Sequence, residues 1–178
     1  MRFELIDRIE SITPGKSLRA VKALSLAEEY LQDHFPGRPV MPGVLMVQAM
    51  VEACAWMVRL ETDFAPSMVL LKVARKVVYG QFVRPGDLLV MEVELLKMAD
   101  GLAQFSGRGT VNGQTVVSGR LEIEYYSLAD RKAGDADIDE HLRREMRKRF
   151  DVVRPSPNTD VVLSPGLGAS ATPANTTT

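Results

Sequence analysis

A chain of 178 residues, 19.7 kDa and 46% hydrophobic content is long enough to close one core of its own. Its 22 basic and 23 acidic residues leave a formal net charge of -1, which removes any whole-chain electrostatic case for binding nucleic acid or an anionic membrane. One cysteine, Cys54, and two histidines exclude an internal disulfide framework and a typical zinc site, so stability rests on packing, with no metal or redox cofactor expected.

The first residues, Met1-Arg2-Phe3-Glu4-Leu5-Ile6-Asp7-Arg8, carry charges where an export signal needs an unbroken apolar stretch, so a cytoplasmic protein is expected. Residues 1–26 read as two extended pieces around the turn Thr13-Pro14-Gly15-Lys16, and 27–33 as one short helical turn. The segment 34–43 then holds three prolines and two glycines, which fixes an irregular loop whose last proline, Pro42, suits the first turn of a helix.

That helix is predicted over Pro42 to Glu61. Val44, Leu45, Val47, Met50, Val51, Ala53, Cys54, Trp56 and Met57 leave it no broad solvent face, so it must be wrapped on most sides. The apolar run from Val40 to Val58 approaches the length of a membrane span. Pro42, Gly43, Gln48 and Glu52 interrupt it, and a buried soluble helix is the expectation. Gln48 and Glu52 stand four positions apart and so share one stripe, about 6 Å apart along the axis.

Extended segments follow at 67–79, 88–98, 102–111 and 114–126, with a turn at Arg84-Pro85-Gly86-Asp87. Asp100-Gly101 and Asn112-Gly113 each separate two β-prone runs, the strongest short hairpin signal, so 88–126 reads as a three-stranded antiparallel meander. In its last strand Leu121, Ile123 and Tyr125 alternate with Arg120, Glu122 and Glu124, so one face of the sheet is buried. From Asp137 to Phe150 the chain starts acidic and ends basic, as a surface helix does, with Asp137 and Glu140 spaced as a capping box. The residues beyond are rich in Pro, Ser, Thr, Ala, Asn and Gly, and a disordered tail is expected over 153–178.

These elements define an α+β architecture: an antiparallel sheet of five or six strands wrapped around one long central helix, the hot-dog arrangement. The expected divisions are 1–128 for this domain, 129–152 for the C-terminal surface helix and 153–178 for the tail.

Within it, His34-Phe35-Pro36-Gly37-Arg38-Pro39-Val40-Met41-Pro42-Gly43-Val44-Leu45 resembles the signature of the 3-hydroxyacyl-acyl-carrier-protein dehydratases of fatty-acid synthesis. The resemblance extends from Phe3 to about Tyr126, with support from Leu5-Ile6-Asp7-Arg8, Pro14-Gly15-Lys16 and Arg84-Pro85-Gly86-Asp87. It implies that His34 takes or relays the proton next to a thioester carbonyl, and that the Gly43 N–H at the start of the helix polarises that carbonyl. Gly43 also suits plain helix-start geometry. Phe35, Met46 and Met50 are the further residues expected to contact the acyl group.

The family's catalytic glutamate, fourteen residues after the histidine, falls on Gln48, and the glutamine commonly found one turn later falls on Glu52. The two residue types are exchanged. A glutamine amide cannot deliver a proton as a carboxylic acid can, so Glu52 becomes the candidate acid, displaced by about one turn. A weakly active or noncatalytic acyl-thioester binder and a hot-dog thioesterase stand as alternatives, and Glu52 as a buried carboxylate satisfied by a neighbouring chain is a further reading of that residue.

The resemblance further implies a homodimer, or a higher oligomer, whose histidine and acid come from different subunits. Its substrate is presented on the phosphopantetheine of acyl carrier protein, with no other cofactor. Lys72, Arg75, Lys76 and Arg84 lie in a segment, 64–86, without an acidic residue. They are candidates for docking the acidic carrier, although charges on the solvent face of a strand read the same way.

Overall fold

The computed structural model describes residues 4–32, 34–35 and 37–155. Strands β1 (Arg8–Thr13) and β2 (Ser17–Ala23) come first, then a 3-10 turn at Glu29–Leu31, helix α1 (Gly43–Glu61), and strands β3 (Met68–Tyr79), β4 (Leu88–Ala99), β5 (Leu102–Val111) and β6 (Gln114–Tyr126). A one-turn helix α2 (Leu128–Arg131) and a long helix α3 (Ala136–Val153) follow. Of the tail expected over 153–178, residues 156–178 lie outside the described residues, and Val153 is the buried last residue of α3.

The six strands form one antiparallel sheet in the order β1-β2-β4-β5-β6-β3. Its centre is the predicted meander. Asp100 and Gly101 have φ of 53° and 73°, and Asn112 and Gly113 have 50° and 77°, the left-handed pairs that a two-residue hairpin of right-handed twist requires. Strand β3 leaves its sequence neighbours and pairs with β6, which puts a twelve-residue strand at one edge of the sheet. Its register shifts between Leu71 and Val73 and between Arg75 and Val78, and Lys76 takes φ 52° at the second shift. Leu70, Leu71, Val78 and Tyr79 are all exposed on this edge strand.

Helix α1 lies in the curve of the sheet. Its buried residues run from Met46 through Val58 and meet Leu18, Met91, Phe105, Val117, Leu121 and Ile123 in one core. Gly107 of β5 is required here, because a Cβ at that position would overlap Met50 Sδ. By length and composition α1 could cross a membrane; in this fold it is the core helix.

The C-terminal helix is more than a surface element. Phe150 packs against Trp56 of α1 and Phe64, with ring centroids 6.0 and 5.9 Å away. Asp139 is buried and accepts hydrogen bonds from Ser67 Oγ and from the N–H groups of Leu128 and Ala129. Burial alone would raise its pKa, yet the bonds from Ser67, Ala129 and Leu128 hold it below its ordinary value. Arg143 and Arg147 donate to the carbonyls of Ala65 and Asp63, each at 2.7 Å, so α3 is tied to the chain between α1 and β3. The capping box expected at Asp137 and Glu140 does not form: α3 starts one residue earlier, after Asp135, and a capping box joins Ser127 and Asp130 at α2 instead.

Candidate active site

The loop before α1 is shaped by its own backbone. Arg38 N–H donates to the Phe35 carbonyl and Met41 N–H to the Val83 carbonyl, both at 2.8 Å. Within it, His34 Nδ1 lies 2.9 Å from the Val40 carbonyl oxygen. A carbonyl can only accept, so Nδ1 is the donor here, and the tautomer with that proton alone has its lone pair at Nε2. Phe35 stands in the left-handed region at φ 58° with its side chain 58% exposed, and its ring meets His34 edge-on at 4.5 Å. Phe35, Val40, Leu26 and Phe82, with Arg38 and Arg84 among them, line a cleft of ≈ 840 Å³.

Gly43 opens α1, with Pro42 before it and no side chain capping that end. First-turn N–H groups lack partners within their own helix, and the helix dipole favours negative charge beside them. The Tyr79 ring, at the end of β3, rests on this glycine: a Cβ at residue 43 would stand 2.9 Å from Tyr79 Cε1. Glycine is therefore what lets an aromatic ring cover the helix start.

Gln48 is exposed and Glu52 half-buried on the stripe that the sequence spacing implies. Together with Ile6, Trp56, Arg59, Val69, Met146 and other residues they line a second cleft, of ≈ 460 Å³, between α1 and α3. Glu52 Oε2 accepts the Leu5 N–H at 3.0 Å. Burial pushes its carboxyl up to about 7, against the opposing pull of the Leu5 N–H and of Arg149. A carboxyl of this kind is partly protonated at neutral pH and can give or take a proton.

One chain thus distributes the expected residues over two places. Phe35 and Arg84 line the cleft before α1 and His34 is bound to Val40, three residues ahead of Gly43, while Gln48 lies about 7.5 Å and Glu52 about 13.5 Å further along the axis from Gly43, on the α3 cleft. Met46 and Met50 are 4% and 1% exposed and belong to the core, and neither lines either of these two clefts. Lys72, Arg75, Lys76 and Arg84 are exposed, and no ion pair engages their side chains among the described residues. Sequence reasoning missed Tyr79, Phe82 and Arg38. Only the aromatic pair flanking Gly80 and Gln81, ahead of the Arg84 turn, signals the first two.

Residues 1–120 match the FabA-like domain family. The 3-hydroxyacyl-[acyl-carrier-protein] dehydratase FabZ of Albidiferax ferrireducens is 40% identical over 130 residues, covering 71% of this chain and 87% of that protein. This chain belongs to that dehydratase family. FabZ of Caldicellulosiruptor saccharolyticus is 36% identical over 119 residues, 67% of this chain and 85% of its own length. Among solved structures, the dehydratase heterocomplex ApeI:P from Xenorhabdus doucetiae aligns with a TM-score of 0.57 and 19% identity, covering 68% of this chain and 82% of the other. A point mutant of the fluoroacetyl-CoA-specific thioesterase FlK aligns at 0.55 and 16%, covering 71% and 96%. Both confirm the hot-dog fold. The extension that carries α3 lies beyond the matched family domain.

Proposed function

We propose that this dehydratase-family protein converts 3-hydroxyacyl thioesters, carried on acyl carrier protein, into trans-2-enoyl thioesters in fatty-acid or related lipid synthesis. The observation that carries the reading is His34, set in the family's loop with Nδ1 bound to the carbonyl of Val40, three residues ahead of Gly43 at the start of α1. Nε2 takes the proton from the carbon next to the thioester carbonyl, and the Gly43 N–H supports the negative charge that develops on the carbonyl oxygen. The electron pair left by that proton forms the double bond as the neighbouring carbon–oxygen bond breaks. The departing hydroxyl takes a proton and leaves as water. No cofactor of the protein enters this sequence.

Glu52 is the group we assign to that last proton, because it is the carboxyl on the stripe and burial keeps it protonated near neutrality. Its separation from His34 in one chain supports a site assembled from two subunits, and the long exposed edge of β3 offers the surface for a second copy. In this reading residues 1–128 form the dehydratase unit of a cytoplasmic homodimer, 129–152 an accessory segment, and Lys72, Arg75, Lys76 and Arg84 the docking edge for the acidic carrier.

A second reading, an acyl-thioester binder with weak or no dehydratase activity, is favoured by the exchange that the resemblance implies, Gln48 at the family's acid position, and by the Leu5 N–H that engages Glu52. Loss of enoyl absorbance as a trans-2-enoyl carrier thioester is hydrated separates the two, with free thiol followed in parallel. Hydration abolished in both His34→Ala and Glu52→Gln is the expected result. Binding without conversion across several chain lengths supports the second reading, and release of free thiol supports a thioesterase.

A further inference from the structure

The α3 cleft has an unmatched charge at its far end. Its walls hold Glu4, Glu52 and Glu145 against Arg59, Lys148 and Arg149. Glu4 pairs with Arg149 and Glu145 with Lys148, each at 2.8 Å, and Glu52 is held near neutrality by burial with the Leu5 N–H as donor. Arg59 is left over. Its Nε is fully enclosed and donates to nothing, and among the described residues no carboxylate reaches ion-pair distance of its guanidinium. The Trp56 ring lies against it, with its centroid 5.5 Å from Cζ. Burial lowers the Arg59 pKa to about 10, with Glu52 opposing, so the side chain remains a cation at neutral pH.

Charges in such a setting are costly unless paired, and an unpaired guanidinium beside a cleft is a recognition element for a planar anion. The cleft's shape indicates which anion. Gln48, Glu52, Trp56 and Arg59 follow one stripe of α1, so the cleft runs about 16 Å along the helix from Gln48 to Arg59. Between these ends Val51, Ala55, Trp56, Val69, Met146 and Val152 give it an apolar side, beside Glu52 and the two matched ion pairs. An apolar side for methylene groups, leading to an unmatched cation at the far end, matches an acyl chain whose far end is acidic.

We propose that Arg59 selects acyl thioesters carrying a terminal carboxylate, and that α3, which lies outside the family-matched region, builds the wall against which that chain end is held. The proposal rests on the dehydratase reading for the thioester end alone.

Trp56 is the chain's only tryptophan and lies beside Arg59, so its fluorescence reports occupancy of this cleft without any turnover. The full-length protein is titrated with saturated acyl-pantetheine thioesters of matched length, ending either in methyl or in carboxylate. Saturated chains can be neither hydrated nor dehydrated, so the result stands whether or not the protein proves to be a dehydratase. The carboxylate-ended ligand is expected to bind about tenfold more tightly or better, with the preference abolished in Arg59→Met and largely kept in Arg59→Lys. Equal or tighter binding of the methyl-ended ligand by the native protein overturns the proposal, as does a preference that survives Arg59→Met or a failure of both ligands to bind. The native two-ligand comparison decides even where a variant does not fold. Absence of enoyl hydration, by contrast, counts only against the dehydratase reading.

Discussion

Glu52 carries two consequences at the scale of a single residue. In the folded chain burial raises its pKa from the ordinary 4.5 to about 7. Between those two values the folded state holds a proton that the unfolded chain has released, so rising pH favours unfolding across that window, and the whole cost is present above it. The shift corresponds to up to about 3 kcal/mol. Glu52→Gln keeps an acceptor for the Leu5 N–H and removes the titration, so it is expected to match the native protein in thermal unfolding at about pH 5 and to exceed it at about pH 8. If Glu52 is also the acid, turnover of the native protein falls as pH rises through about 7, because the deprotonated form has no proton to give. A native protein no less stable than Glu52→Gln at the higher pH would mean that its carboxyl titrates near the ordinary value. The placement of Gln48 and Glu52 on one stripe was legible in their spacing of four. The bond to Leu5 was not, since it joins residues 47 positions apart through the packing of the N-terminal segment.

Gly43 gives the second residue-scale test. An added methyl meets the Tyr79 ring, which is half exposed and can swing outward, so Gly43→Ala is expected to cost little stability while uncovering the helix start. A fall in kcat/KM of about tenfold is expected, with Tyr79→Ala alone giving a comparable fall and the double variant little more than either, since residues in contact couple nonadditively. Strict additivity of the two changes would show that the ring does not act at this glycine.

At the scale of elements, the turns and alternations were readable because each is local. The Asp-Gly and Asn-Gly pairs, the β6 alternation and the apolar run of α1 all report backbone geometry or burial within a dozen residues. The position of β3 was not readable: pairing with β6 rather than with β4 is a long-range choice, and the strand's own sequence only shows that it is β-prone. Its exposed Leu70, Leu71, Val78 and Tyr79 make an edge that a soluble chain leaves open at the risk of pairing with other chains. Val78→Asp, a charge at a 61% exposed apolar site on this edge, is therefore expected to leave the monomer fold intact and to shift sedimentation from dimer to monomer, with loss of activity. A native protein that sediments as a stable monomer at micromolar concentration would remove the two-subunit site. Helix α3 was half legible. Its charge gradient marked a helix, while its docking depends on Phe150 meeting Trp56 and Phe64, contacts that span about half the chain.

For the molecule as a whole, a net charge of -1 means that attraction to an acidic carrier has to come from a local field, not a global one. The structure supplies an asymmetry for it. Acidic side chains over much of the sheet are matched: Glu10 and Glu92 bind Arg19, Glu92 also binds Arg108, and Glu124 binds Arg131. Among the described residues Lys72, Arg75 and Lys76 on β3 have no such partners, and Arg75 lies directly across from Arg120 of β6, a like-charge pairing that costs stability unless an anion shares it. The chain runs on from β3 to Arg84, which borders the cleft beside Phe35, so a carrier engaged by these side chains can present its thioester arm to that cleft. Reversing Arg75 and Lys76 to glutamate is accordingly expected to raise KM for carrier-linked substrate by about tenfold, and to leave KM for the same acyl group on free pantetheine unchanged. The native KM for the carrier substrate should also rise with salt while that for pantetheine does not, because screening acts on the docking charges and not on the chemistry. An equal effect on both substrates would place the disturbance in the active site, and no effect on either would move the docking surface away from β3.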